Sequence, residues 1–347
     1  MAAINGLLSL IGGASGLATL FDFMIPDPSA VAERGNCLVT VQVGLDGTGG
    51  DDGDLEGAGG HFPLVLLFNN NDDQIGQTAD ADMFLTQIGS GAFETLEIGT
   101  GSGNPSWKLP IPLTNGEPVA IVASVHTDQI CISSLTIVWP DQQKRGWIGD
   151  NGAACGVAWY PSGIIVDDSN YETACTWINA EAADDGLENL ADAFYVDLRA
   201  FNGRDPSIPD EANELSDEEF WDQWCDNPET QEFSTPNWGR RATRVAAAPV
   251  GKSVKETRLV VSNSDRFSAL DVCNDKNSFG PDFVSLKDGM WCDMGTKTTK
   301  PLCADHVDED CFQLDESSGR KHKRSMGSRA DYSKVIEQNP KKTVMKY

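Results

Sequence analysis

The stretch Cys37-Leu-Val-Thr-Val-Gln-Val43 sets Val39, Val41 and Val43 on one side of the chain and Thr40 and Gln42 on the other. Successive side chains of a β-strand point to opposite faces, so this alternation predicts a half-buried strand. Working outward, His61-Phe-Pro-Leu-Val-Leu-Leu-Phe68 is an apolar run of strand length, followed by a turn cluster from Asn69 to Asp73. Phe93 to Ile98, Trp107 to Leu113, Val119 to Val125 and Ile130 to Trp139 repeat the scheme, with Gly, Asn, Pro and Asp between them. Many short strands with turn signals predict a mainly β chain, its N-terminal domain an antiparallel β-sandwich over residues 36–202. Only Glu181 to Ala193 is composed for helix, and Gly186 weakens it.

Beyond that domain the pattern changes. Residues 203–257 run from acidic to Ala/Pro-rich with little alternation, and are expected to connect two folded parts. Ser216-Asp-Glu-Glu219 within them has capping-box spacing ahead of Phe220, Trp221 and Trp224. Arg258-Leu-Val-Val-Ser262 reads as a strand opening a smaller cysteine-rich part over residues 258–315. Residues 316–347 are polar and basic with little to bury, so disorder is expected there. Lys323-Arg324 in that tail is a dibasic pair of the kind a secretory-pathway protease cuts.

The 347 residues carry 53 Asp+Glu against 26 Lys+Arg, a formal net charge of −27. Binding nucleic acid needs clustered cations to neutralise phosphates, which argues against that partner for the acidic body. Docking of the body on anionic lipid is disfavoured for the same reason. The charge is unevenly spread: residues 1–239 hold 38 acidic and 6 basic side chains, while residues 316–347 hold nine Lys+Arg and three acids. The chain is an acidic body with a small basic tail.

Nine cysteines are scattered at long intervals with no CxxC pair. Zinc sites and thioredoxin-type motifs need that close spacing, so disulfides formed in an oxidising compartment are the better reading. The odd count leaves one thiol over. Cys155 and Cys175 bracket a turn-rich segment and are the first bridge expected, with Cys292, Cys303 and Cys311 closing the end of the folded region. Residues 1–35 open with a long apolar segment. It reads as a secretory signal, with Ala30-Val31-Ala32 as a small-x-small cleavage pattern, although no Lys or Arg lies near Met1. It also reads as a membrane-active helix spaced by Gly6, Gly12, Gly13 and Gly16, in which case membrane contact would run only through residues 1–25. The cysteines side with secretion and an extracellular location.

Two longer stretches carry a resemblance. Ile130-Cys-Ile-Ser-Ser-Leu-Thr-Ile-Val-Trp-Pro-Asp141 continues into Gly146-Trp-Ile-Gly-Asp-Asn-Gly-Ala-Ala-Cys-Gly-Val-Ala-Trp-Tyr-Pro-Ser162 and Cys175-Thr-Trp-Ile178. Gly280-Pro-Asp-Phe-Val-Ser-Leu-Lys-Asp-Gly-Met-Trp-Cys-Asp-Met294 continues through Thr296-Lys297 to Pro301-Leu-Cys303. Together they resemble a family of secreted-type proteins of filamentous fungi, over roughly residues 36–315. The resemblance implies no activity, because none is established for that family. Where such proteins often carry Trp and His, this chain has Asn151 and Asn263. Any catalytic role of that His would be missing here.

Candidate chemistry is sparse. The loop Asp46-Gly-Thr-Gly-Gly-Asp-Asp-Gly-Asp-Leu-Glu-Gly57 sets five carboxylates among glycines. Hard Ca²⁺ wants six to eight oxygens from a flexible loop, so Asp46, Asp52, Asp54 and Glu56, with Asp72 nearby, are candidate ligands. This is not an EF-hand, because the twelfth position is Pro63. A solvated acidic loop is the plainer alternative. Trp147, Trp159 and Tyr160 lie near glycines and turn residues, and if exposed they could stack on sugar rings or a protein surface. Buried aromatics filling core volume are again the plainer alternative. His126-Thr-Asp128 and His306-Val-Asp308 place a carboxylate where it could orient an imidazole, but no nucleophile elbow, HExxH, Walker or dinucleotide motif accompanies them. The expectation is therefore a secreted, disulfide-stabilised binding or host- and surface-interaction module for carbohydrate or protein. A membrane-active protein and an extracellular hydrolase using carboxylates or histidine are the alternatives.

Overall fold

The computed structural model describes residues 36–45, 58–68, 74–78, 86–99, 119–123, 129–138, 144–166, 171–179, 191, 193–197, 231–234, 258–303, 311–314 and 334–338. The chain is mainly β, as the alternation predicts, and its first two large sheets are wholly antiparallel. The first sheet is built from β1 (Asn36–Val43), β6 (Phe93–Gly99), β8 (Ile130–Val138), β9 (Lys144–Ile148), β10 (Trp159–Val166) and β11 (Tyr171–Ile178). Its order is β10-β11-β8-β1-β6, and β9 lies beside β8. One edge of β8 is shared: residues 130–132 pair with β11 and residues 134–138 with β9. The second sheet runs β13 (Gln231–Ser234), β12 (Ala193–Asp197), β7 (Val119–Ala123), β3 (Leu64–Phe68) and β4 (Gln74–Gln77). A two-stranded ribbon joins β2 (Gly60–His61) to β5 (Gln87–Ile88).

The apolar sides of the two sheets meet in one cluster that contains Val39, Val41, Leu135 and Ile137 from the first and Val65, Leu67, Phe194 and Val196 from the second. The opposite side of β1 is covered too. Thr40 and Gln42 are buried, Thr40 paired with Thr95 Oγ1 at 2.8 Å and Gln42 Nε2 donating to Gly91 O and Ala92 O at 3.0 and 3.1 Å. The half-buried reading of this strand is therefore corrected to one covered on both faces, with Thr40 Oγ1 and Gln42 Nε2 bonded to β6 and the turn before it while Gln42 Oε1 has no partner among the described residues.

The cysteine-rich part forms the third sheet, ordered β17 (Thr298–Pro301), β16 (Met290–Asp293), β15 (Asp282–Ser285), β14 (Arg258–Ser262) and β18 (Lys334–Gln338). β14 and β15 are parallel, with a short helix between them, Ala269–Asn274, capped by the Ser268 hydroxyl on Asp271 N. β14, β15 and β16 of this sheet are covered on both sides. Val260 and Phe283 join the main cluster, while Leu259, Val261, Val284, Trp291 and Phe312 form a second one. Burial on both faces explains why Arg258-Leu-Val-Val-Ser262 is a continuous apolar run and not an alternating one.

Two expectations for the flanking segments are corrected here. β13 lies inside residues 203–257, where the composition predicts no strand, and it pairs antiparallel with β12. β18 lies inside the tail expected to be disordered, and it pairs in parallel with β14, setting Val335 against the second cluster. In both cases an existing strand edge supplies the hydrogen-bond partners that local composition does not advertise. The apolar segment before residue 36, the Glu181 to Leu190 stretch and the Ser216 capping box lie outside the described residues.

The expected Cys155–Cys175 bridge is not formed. Cys175 on β11 is bonded to Cys131 on the adjacent strand β8, where the register sets Cys131 opposite Trp177 and so diagonal to Cys175 on the same face. Cys155 is itself disulfide-bonded, but not to Cys175. Cys273–Cys292 ties the helix after β14 to β16, and Cys303–Cys311 closes a short loop. Cys37 is a buried thiol on β1.

Candidate functional site

Trp147, Trp159 and Tyr160, expected on an exposed binding face, are all buried, at 0%, 4% and 0% exposure. Trp147 sits within β9 opposite Leu135 and stacks on Phe194 of the second sheet, ring centroids 4.4 Å apart. The glycines near it do not mark an exposed turn. A side chain at Gly149 would meet Ala174 O at 2.6 Å and Ile132 O at 2.7 Å, so this glycine serves close approach of backbones.

Trp159 and Tyr160 do form a recognition face, but its occupant is the chain's own third sheet. Trp159 donates its indole N–H to Asp275 Oδ2 at 3.1 Å, and its backbone exchanges hydrogen bonds with Asn277 O and Phe279 N at 3.1 and 2.8 Å. Tyr160 donates its hydroxyl to Pro281 O at 2.9 Å, and Trp177 its indole N–H to Phe279 O at 2.7 Å. Gly280 lies on the Tyr160 ring, where any Cβ would collide with it. The first resembling stretch supplies one side of this seam, and the other side runs from Asp275, Asn277 and Phe279 into the start of the second stretch at Gly280 and Pro281.

A charged cluster closes one end of the seam. Asp150 stands in the five-residue helix Asp150–Ala154, Tyr171 and Glu172 open β11, and Arg266 follows β14. Arg266 donates through Nη2 to Asp150 Oδ1 and through Nη1 to the backbone carbonyl of Glu172. Its guanidinium also lies over the rings of Tyr171 and Phe267, 4.0 and 4.6 Å from their centroids. Burial works against the charge of Arg266, but Asp150 and Tyr171 more than offset it and hold its affinity for the proton above the ordinary range. Burial, with Asp150 beside it, pushes the Tyr171 phenol well above its usual range. Asp150 Oδ2 accepts from Ala174 N at 3.3 Å. Glu172 is buried, accepting from Gly163 N at 3.0 Å. Ser262 and Ser264 fix this loop by accepting from Ser264 N and Arg266 N at 3.1 and 3.2 Å. Asn263 stands half-buried between them, at the position where the resemblance implies His.

Lys297 braces the other end. It occupies the left-handed region, φ 53°, at the close of the hairpin from β16 to β17, a turn shaped by Asp293 Oδ1 accepting from Gly295 N and Thr296 N. Its Nζ donates to Ser278 O at 2.8 Å, to Asp275 O at 3.3 Å and to the Ser278 hydroxyl oxygen. Burial lowers its ammonium to about 8, with Asp275 opposing, so it carries its charge at neutral pH. Ser278 and Lys297 have the residue types of a nucleophile and its base. Ser278 is nonetheless only 1% exposed, and its hydroxyl also lies within hydrogen-bond reach of Val272 O and Asp275 O. This pairing holds the helix and loop to the hairpin. Lys297→Met keeps the stem and removes the donors, and should cost about 1–3 kcal/mol through the carbonyls left without a partner. The urea midpoint reads that loss.

The Ca²⁺ candidates Asp46, Asp52, Asp54, Glu56 and Asp72, and the His126 and His306 pairs, lie outside the described residues. Among the described residues no group of three or more His, Cys, Asp or Glu is placed to hold a metal ion. His61 faces Gln87 across the two-stranded ribbon, their Nε2 atoms 3.3 Å apart. Comparison of the chain with protein-family models, curated proteins and solved structures finds no match.

Proposed function

We propose that this protein is a secreted, disulfide-held β-rich scaffold that works as a binding or surface-interaction module for carbohydrate or protein. The observation that carries the reading is the placing of its cysteines. Cys131–Cys175 cross-links the first sheet, while Cys273–Cys292 and Cys303–Cys311 staple the third, an investment that persists only in an oxidising compartment. Among the described residues no helix is long and apolar enough to cross a membrane, which accords with this location. The polar groups with catalytic potential are spent on holding the seam: Ser278 with Lys297, and Asp150 with Arg266. The acidic charge favours a partner surface that is neutral or basic.

The test has two arms. Thiols of the natively produced protein are alkylated before and after reduction, and the six cysteines of these three bridges should become reactive only after reduction. The oxidised protein is then incubated with insoluble polysaccharide and with protein-coated beads, and should sediment with one of them. Bridged cysteines that alkylate without reduction, or full recovery in the supernatant of both incubations, would overturn the proposal.

A further inference from the structure

Asp150, Glu172 and Arg266 put two buried carboxyl groups and one guanidinium at the seam between the first and third sheets. The groups facing Glu172 can be taken element by element. From the short helix comes the Asp150 carboxylate; from β10, the N–H of Gly163; from the loop after β14, the Ser264 hydroxyl and Arg266. Both terminal nitrogens of the guanidinium are committed, and its Nε is buried with no hydrogen-bond partner among the described residues. Nη2 neutralises Asp150, and Nη1 binds the Glu172 backbone and not its carboxyl. Glu172 Oε2 is buried and has no hydrogen-bond partner among the described residues. Two carboxyls beside one cation cannot both ionise cheaply in a desolvated site. Glu172, whose carboxyl is not bonded to the cation, is the one whose charged form this site disfavours.

We propose that this seam is a pH-sensitive latch, closed in acid over a neutral Glu172 and loosened when that carboxyl ionises, so that Trp159, Tyr160 and Trp177 become uncovered. Burial raises the proton affinity of Glu172 above its ordinary value near 4.5, against the hydrogen bonds from Ser264 and Gly163 and the charge of Arg266. A carboxyl raised in the folded state gives stability that is full below its unfolded value and is lost as pH rises through its folded value. The Glu172 contribution to the seam is therefore full below about pH 4.5. Glu172 sits on the first sheet and its carbonyl accepts from Arg266 beside the third, so hydrogen bonds that cross the seam report the ionisation.

Amide hydrogen exchange of Trp159 and Phe279, whose N–H groups bond across the seam, measures this directly. After correction for intrinsic rates, protection in the wild type should fall about tenfold or more between pH 4.5 and the far side of the Glu172 titration, since each pH unit separating the closed and open midpoints is worth a factor of ten. Glu172→Gln mimics the neutral acid, so its protection should stay high and flat over the same range. Equal wild-type protection at both ends, or a Glu172→Gln profile as steep as the wild type's, overturns the latch. The Glu172 carboxyl ¹³C shift in the wild type gives an independent reading without a variant. A titration midpoint above 4.5 supports the latch, and a carboxyl already ionised at pH 4.5 overturns it.

Discussion

Arg266→Leu should destabilise the folded chain by about 3–5 kcal/mol, a large share of the roughly 5–15 kcal/mol that holds a typical domain together. The cost does not come from the ion pair's own strength. Asp150 is almost wholly buried, its side chain 2% exposed, and without Arg266 it would be a desolvated carboxylate whose named neutral donor is Ala174 N. The leucine also gives up the stacking over Tyr171 and Phe267. A double-mutant cycle separates these contributions. If the stranded charge dominates, Arg266→Leu with Asp150→Asn should be clearly more stable than Arg266→Leu alone, by about 1–3 kcal/mol. Denaturant unfolding of the four proteins gives the coupling. If the asparagine makes the leucine variant no better, the loss belongs to packing and not to electrostatics.

This cluster shows where a single sequence stops being informative. Arg266 reaches a partner 116 positions away and a carbonyl 94 positions away, and no local pattern marks any of the three residues. The strands are different. β1, β3, β6, β7, β8 and β14 declare themselves because alternation, or a short apolar run between turn residues, is a local property. β13 and β18 do not, since Gln231-Glu-Phe-Ser234 and Lys334-Val-Ile-Glu-Gln338 become strands by pairing with an edge made elsewhere. The aromatics are legible as a group, but the glycines and turn residues beside Trp147 and Trp159 suggest exposure where the fold buries both. Trp159, Tyr160 and Trp177 have the composition of a recognition face, and they recognise Phe279 to Phe283 of the same chain. The nearest sequence signal is the paired occurrence of the two long motifs, which read as one feature only once their contact is known.

The bridge between Cys131 and Cys175 should contribute the most stability of the three described disulfides, and the reason is the length of chain it closes. Its cysteines are 44 positions apart, against 19 for Cys273–Cys292 and 8 for Cys303–Cys311. In the chain-entropy account a cross-link restricts the unfolded ensemble in proportion to the logarithm of its loop, which gives about 4, 3 and 2.5 kcal/mol respectively. Local packing strengthens the ranking. Cys131 and Cys175 are both fully buried, and Gly44 lies so close to the Cys175 sulfur that a Cβ there would stand 2.7 Å from it. Replacing the pair by alanines therefore leaves a void as well as a freer unfolded chain, and the void adds to the loss. Cys303→Ala with Cys311→Ala frees a much shorter loop, and the backbone bonds between Cys303 N and Phe312 O and between Phe312 N and Pro301 O hold that loop in the folded state without the bridge. Thermal and urea unfolding of the two double variants, each with the other bridges intact, should show the first clearly less stable. If opening the short loop proved as costly as opening the long one, the stabilisation would have to lie in folded-state packing at Phe312 and Trp291, and chain entropy would not be its source.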